Sequence, residues 1–379
     1  MEDIYVLGVD IGGSHIACQL VNLSDCSLIE NTYAEVKVAE NQSAGIILAA
    51  WEKALKECMG KAAGKTIRGI GVAIPSPFDF VQGIAMADHK FASLKGLNIR
   101  QELSRVTGIL PSSILFTNDA AAFGMGAWRL NGSRDRHLIG VTLGTGFGAC
   151  FIVDGCYATY GPGVPIGGEL WNYPFRGVIA EDYVSTRWFE KRFAELTGEA
   201  IHGVKGMIDL YQAGKYKTET EQVFREFSNS FGEIMVPFMT RFNADMLVIG
   251  GGMVLSEQYF LPLISQYMKA NGINASIMTV ADTTTAIIAG AAALCDLRNW
   301  IRYLGIDLAM GWNRTGSLIN RYKITEELLS GAFRIPCEFN FQILNYESRY
   351  QYFVSGNSCC DGIYLFFSRR VYFFVWRRW

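Results

Sequence analysis

No apolar run in this sequence reaches the ~18 residues that a membrane-spanning helix needs. Met1-Glu2-Asp3 opens the chain without the basic region of a signal peptide. These two absences set the expectation of a cytoplasmic protein with no membrane partner. An excess of charge is missing as well: 34 Lys and Arg stand against 36 Asp and Glu, a formal net charge of −2, which leaves no electrostatic footprint for nucleic acid. Metal-ligand spacing is also missing. The nine cysteines are scattered without a CxxC pair, and only Cys359-Cys360 are close, so they read as small core residues in a reducing compartment. Glycine is plentiful instead, forty in 379 residues, which suits tight turns and backbone brought close to ligands. Half of the residues are hydrophobic, and a chain of this length holds two or three domains with cores of their own.

The informative glycines follow strands. Tyr5-Val6-Leu7-Gly8-Val9-Asp10 is a β-rich run, Ile11-Gly12-Gly13-Ser14 turns it back, and Ile16–Val21 reads as a second strand. Strand, glycine turn, strand is a hairpin and not the strand-to-helix turn of a dinucleotide fold. Amides freed by Gly12 and Gly13 can approach phosphate oxygens, and Asp10 at the strand end can hold magnesium through water. The plainer reading is an ordinary hairpin with Asp10 as a turn residue. The plan repeats at Leu138–Leu143, Gly144-Thr145-Gly146-Phe147-Gly148 and Ala149–Val153. Two such hairpins, each opening a half of the chain, suit a clamp on a polyphosphate. Met246–Ile249 is a further buried strand, and it ends in Gly250-Gly251-Gly252, where absent side chains admit a ligand's flat face or a phosphate.

Ile114-Leu115-Phe116-Thr117 ends abruptly in Asn118-Asp119, followed by a small-residue helical pattern from Ala120. This places two polar side chains at the C-terminal edge of a sheet, where ligands of open α/β sheets sit. Asn118 can fix a polar substrate and Asp119 can act as general base on a hydroxyl, or either can simply cap the helix. Between the first hairpin and this strand, Ala44–Met59 is an amphipathic helix with Trp51 on its core face, Ile67–Ile74 a strand, and Leu94–Gly108 a weaker helix. The order from Tyr5 to Leu115 is β-β-α-β-α-β. Gly161–Ser185 reads as a long loop carrying Glu169, Trp171, Asn172, Glu181 and Asp182. Taken alone, each carboxylate there reads as a solvated charge or a helix cap. Tyr183–Leu196, Thr220–Thr240 and Thr285–Leu294 have helical patterns.

Taken together these stretches resemble the ROK family, sugar kinases and related repressors of the actin-like superfamily. The resemblance covers about the first 295 residues and rests on Asp10-Ile11-Gly12-Gly13, Asn118-Asp119, Gly144–Gly148, Gly168-Glu169-Leu170, Glu181–Ser185 and Gly250-Gly251-Gly252. It implies an α/β fold of two actin-like (ribonuclease H-like) domains with a ligand cleft between them. Residues 1–118, completed by a helix over 285–295, would form one domain and residues 119–284 the other, with 296–379 an unassigned tail. It implies ATP-dependent phosphorylation of a hexose at O6. Asp119 is then the catalytic base, and Asn118, Glu169 and Glu181 are hexose contacts; Asn172, which departs from the family pattern, can still donate and accept hydrogen bonds to a hydroxyl. Asp10, Gly12, Gly13, Ser14, Gly144, Thr145 and Gly146 hold phosphates and Mg2+, and Gly250, Gly251 and Gly252 lie near the nucleotide. The family also suggests a homodimer.

Two departures narrow the resemblance. Family members often follow the Glu of Gly-Glu-Leu with Gly-His, a zinc and sugar ligand, where this chain has Trp171-Asn172. Arg176-Gly177-Val178-Ile179-Ala180 stands where a three-cysteine zinc cluster would be, so no zinc is expected. A regulator would carry a helix-turn-helix domain ahead of the kinase-like part, and the first strand here begins at Tyr5. A non-catalytic sugar-binding protein is the remaining alternative. In the tail, Ile301–Leu308 reads as a strand and Ile324–Leu329 as a helical turn or two. Ile363–Phe367 and Val371–Trp376 are apolar and β-prone. The tail reads either as a basic, aromatic segment for a membrane surface or partner, or as sequence from a shifted frame or altered stop codon.

Overall fold

The computed structural model describes residues 3–88, 91–132 and 135–296, together with the backbone of four strands between 340 and 374. The chain divides into two compact units, Met1–Leu308 and Ala309–Trp379.

The first unit contains two mixed sheets built on one plan. Strand β1 (Tyr5–Gly12) turns back into β2 (His15–Asn22), and β3 (Ser27–Leu28) and β4 (Ala34–Lys37) both add antiparallel to β2. Helix α1 (Ala44–Gly60) then returns the chain to β5 (Ile67–Ala73), parallel to β1. A small pair, β6 (Phe78–Asp79) and β7 (Ile84–Ala85), precedes α2 (Ile99–Thr107) and β8 (Ile114–Thr117), which is parallel to β5. Helix α3 (Asp119–Leu130) leaves this sheet for the second. There β9 (His137–Leu143) turns back into β10 (Phe147–Val153), which pairs with β11 (Cys156–Ala158). The segment that follows carries the hairpin β12 (Pro174–Phe175) and β13 (Val178–Ile179), then α4 (Glu181–Val184), α5 (Thr186–Thr197), α6 (Gly203–Gln212) and the long α7 (Lys217–Phe242). Strand β14 (Met246–Gly250) lies parallel to β9, and α8 (Glu257–Ala270) leads to β15 (Ser276–Thr279) and the closing helix α9 (Thr283–Ala293).

Helices α3 and α9 exchange sheets. The α3 helix follows a strand of the first sheet and packs on β9 and β10; α9 follows a strand of the second and packs on β1 and β5. The two helices also pack on each other, so the layers run sheet, α9, α3, sheet. Small residues make this possible. A Cβ at Gly126 would overlap the Ala286 carbonyl, and one at Gly290 the Ala122 carbonyl. On the outer faces, Trp51 of α1 is buried in the first core at 1% exposure, and Phe227, Phe231 and Phe238 of α7 fill the second.

The structure departs from the sequence reading in several places. The first unit's opening sheet includes β3 and β4, which extend the β-β-α-β-α-β order. The helix expected over Leu94–Gly108 begins at Ile99, because the Asn98 side chain accepts the Gln101 N–H and caps it there. The helix expected over Tyr183–Leu196 is two helices broken at Ser185, which is extended at φ −117° and ψ 163°. The Thr186 N–H leaves the helical ladder and donates to Gly144 O at 2.8 Å. The stretch 161–185 holds a hairpin and a helical turn and is not loop throughout.

In the second unit β16 (Asn340–Leu344), β17 (Gln351–Ser355), β18 (Ile363–Phe367) and β19 (Arg370–Phe374) form an antiparallel sheet in sequence order. The two β-prone runs of the tail are β18 and β19. The readings at 301–308 and 324–329 lie outside the described residues.

Candidate active site

Strand register places Asp10 and Asn118-Asp119 at the edge of one sheet and the Gly144 and Gly250 turns at the edge of the other. In the first sheet Asp10 pairs with Ala73 across β1 and β5, and Ala73 with Thr117 across β5 and β8. Asp10 and Thr117 are therefore two strand spacings apart, roughly 10 Å, with Asn118 and Asp119 following Thr117 directly. In the second sheet Thr142 pairs with Gly250, which brings the Gly144 turn beside Gly250-Gly251-Gly252.

Asp10 is 4% exposed at the end of β1. Its partner is a residue the sequence reading passed over: His15 Nε2 lies 3.6 Å from Asp10 Oδ2. The Asp10 carboxylate beside it holds the His15 imidazole above its ordinary pKa against the opposing effect of burial. Hairpin register carried the signal, because His15 faces Gly12 and so shares a sheet face with Asp10. A Cβ at Gly12 would stand 2.9 Å from the His15 ring, and one at Gly13 2.6 Å from the Glu40 carboxylate. Ser14 is exposed at the tip of the turn. Nearby, burial, its hydrogen bond to Glu35 and the charges of Glu35, Asp282 and Asp10 all push the Tyr33 phenol upward.

Asn118 caps α3, its Oδ1 accepting the Ala120 N–H at 2.9 Å, while its Nδ2 donates to Ser76 Oγ at 3.2 Å. The capping alternative and the substrate alternative coexist, since the same amide sits at a sheet edge. Asp119 Oδ1 also accepts from Ala120 N, at 2.9 Å. Ala120 in turn packs toward Gly148 at the start of β10, where a Cβ would stand 3.2 Å from the Ala120 Cβ. Burial pushes the Cys150 thiol up to about 12, and the nearby Asp119 charge adds to that.

The glycine turn of the second hairpin is bound to the segment 181–187. Glu181 Oε2 accepts the Phe147 N–H at 2.9 Å and Oε1 accepts Arg187 Nη2 at 2.5 Å. A Cβ at Gly146 would stand 2.8 Å from Glu181 Oε2. Space around Gly144 and Gly252 is open, with nothing within 4 Å of a Cβ built there. Gly251 has φ +90° and donates its N–H to Thr283 Oγ1 at 2.8 Å, so the start of α9 meets this edge too. Thr145 sits between Gly144 and Gly146 at the turn's tip.

Glu169 Oε2 accepts the Trp171 indole N–H at 2.8 Å, and Asn172 is exposed next to it. The stretch 176–180 has no Cys or His, so its donors do not fit structural zinc. Other contacts hold this loop. The Arg176 guanidinium lies 4.8 Å from the Phe175 ring centroid and 5.5 Å from that of Tyr183, and reaches Glu233 at 2.7 Å. Backbone bonds from Glu181 N to Trp171 O and from Ala180 N to Tyr173 O close the base of the hairpin. A cavity of about 1000 Å³ lies elsewhere, between the α4–α5 segment and α7, and of the candidate residues' contacts only Arg187 is at its wall.

No helix among the described residues is long and apolar enough to cross a membrane. Comparison with known proteins matches residues 6–296 to the ROK family. A glucokinase from Thermotoga maritima is 23% identical over 272 residues, covering 66% of this chain and 83% of that protein. An N-acetyl-D-glucosamine kinase from Haemophilus influenzae is 26% identical over 278 residues, covering 65% and 83%. Among solved structures, a ROK hexokinase from Thermus thermophilus matches with a TM-score of 0.62 at 21% identity, over 79% of this chain and 100% of that one. The fold is the actin-like one of these kinases. With most of its length matched, the chain belongs to the ROK family.

Proposed function

We propose that the protein is a sugar kinase that transfers the γ-phosphoryl group of ATP to a hexose, at O6, with glucose as the first substrate to try. In this reading residues 1–118 with the helix 285–295 form one lobe and residues 119–284 the other, and hexose and ATP bind in the cleft between them. The observation that supports it is the register within each sheet, with Asn118-Asp119 following a strand end two spacings from Asp10 in the first and the Gly144 turn beside Gly250-Gly251-Gly252 in the second. The names of the glucokinase and N-acetylglucosamine kinase relatives support the sugar.

Asp119 takes the proton from the hexose hydroxyl as its oxygen attacks the γ-phosphorus. Its Oδ1 accepts the Ala120 N–H at 2.9 Å, which fixes the carboxylate at the first turn of α3. Asn118, Glu169, Asn172 and Glu181 hold the other hydroxyls. Amides of Gly12, Gly13, Ser14, Thr145 and Gly146 bind phosphate oxygens, Gly144 shapes the second turn through its own N–H bond to Gly146 O, and Gly250-Gly251-Gly252 lets the nucleotide lie against backbone. Magnesium bound with ATP would neutralise charge on the transferring group, and the single carboxylate of Asp10 fits an ion that keeps several waters. No step uses zinc.

The test is product analysis. Incubation with ATP and each of glucose, mannose, fructose, allose and N-acetylglucosamine should yield a 6-phosphate of at least one sugar by 31P NMR. ATP left unchanged with every sugar would sink the proposal.

A further inference from the structure

The segment 181–187 holds the second glycine turn at two points and is braced by an ion pair of its own. Thr186 N–H donates to Gly144 O at 2.8 Å, Phe147 N–H donates to Glu181 Oε2 at 2.9 Å, and Arg187 closes the set on Glu181 Oε1 at 2.5 Å. The backbone bond at Thr186 fixes where α5 starts, and so fixes the reach of Arg187 toward Glu181.

A single hydrogen bond leaves a carboxylate free to turn about its last torsion. Two donors on separate oxygens fix its plane. Each oxygen has two accepting positions, so one on each stays open after both bonds are made. An ionised carboxylate held in this way accepts charge-assisted bonds from hydroxyl groups in a fixed direction.

We propose that Arg187 is a positioning residue for the hexose, setting sugar affinity by fixing the Glu181 carboxylate against the glycine turn. This rests on the sugar-kinase reading, in which Glu181 touches the sugar, and adds a residue that does not. The same bonds join the sugar contact to the phosphate turn, where a Cβ at Gly146 would stand 2.8 Å from Glu181 Oε2. The Arg187 side chain is 62% exposed at the wall of the 1000 Å³ cavity, so its removal leaves the core intact.

The experiment compares wild type with Arg187→Ala, Arg187→Lys, Glu181→Gln and the Arg187→Ala/Glu181→Gln double variant. Sugar KM, ATP KM and kcat are measured, with hexose binding followed by calorimetry. Arg187→Ala should raise the sugar KM and Kd about tenfold while ATP KM and kcat stay within about twofold. Arg187→Lys should recover part of the loss, and the double variant should bind sugar no worse than Glu181→Gln alone. Wild type that binds a hexose, with Arg187→Ala binding it equally well, overturns this inference and leaves the kinase reading standing. A loss shared equally by ATP KM overturns it as well. Wild type that neither binds nor phosphorylates any hexose overturns the kinase reading and this one with it.

Discussion

Gly290 of α9 rests directly on Ala122 of α3, so that a Cβ at 290 would overlap the Ala122 carbonyl oxygen. Gly126 meets Ala286 in the same way one turn along. This double contact holds together the helix layer between the sheets, and neither backbone can shift without disturbing a strand behind it. Gly290→Ala is expected to destabilise the fold by about 3 kcal/mol through overpacking. Urea unfolding of this variant beside Gly45→Ala, where a Cβ meets open space, checks it. Equal midpoints for the two would contradict the account.

Asp296 is the last residue of the family match and also the partner of a buried cation. Arg129 Nη2 reaches Asp296 Oδ2 at 2.9 Å, with the side chains 5% and 7% exposed, and Arg129 Nη1 reaches Cys26 Sγ at 2.9 Å. Removing one partner of a buried pair strands the other and costs about 3–5 kcal/mol. A chain ended after residue 296 should therefore melt cooperatively and keep its activity, whereas Asp296→Ala should melt far lower. A shortened chain that is insoluble or inactive would show that the tail belongs to the working enzyme.

The His15–Asp10 pair predicts a pH dependence. The folded pKa of His15 is raised above the unfolded value of about 6.5. Its contribution is thus fully present below that unfolded value and is lost as pH rises through the folded one. The difference in melting temperature between wild type and His15→Gln, measured without nucleotide or magnesium, should be larger at pH 6 than at pH 9. A difference that grows with pH would contradict the assignment.

Arg176 takes over the work of holding the 169–181 loop. Its contacts with Phe175, Tyr183 and Glu233 are partly exposed, so Arg176→Ala should cost only about 1 kcal/mol of stability. Sugar KM should rise with it, and a zinc chelator should leave the melting temperature of wild type unchanged. A chelator that lowers it would contradict the zinc-free reading of this loop.

Much of this arrangement was legible in the residues. The two hairpins follow from β-rich runs broken by Gly12-Gly13 and Gly144–Gly148, and local turn chemistry decides such features. Asn118-Asp119 was legible for the same reason, as an apolar strand ending in two polar residues. The exchange of α3 and α9 between sheets was hidden because it depends on Gly126 and Gly290 meeting partners more than 150 positions away in the sequence. The break at Ser185 was hidden likewise, since the competing acceptor for Thr186 N–H is Gly144 O. His15, Ser76, Arg187 and Thr283 each act on a candidate residue through a contact that only register or tertiary packing creates.

The most direct measurement is hexose-dependent ADP release by wild type and by Asp119→Asn, with sugar binding followed in parallel. Removing the proton acceptor while keeping the shape should lower kcat by at least a hundredfold, within the range for general-base loss, and leave sugar Kd within about threefold. An Asp119→Asn protein that keeps more than about a tenth of wild-type kcat would contradict the assignment of Asp119 as the base.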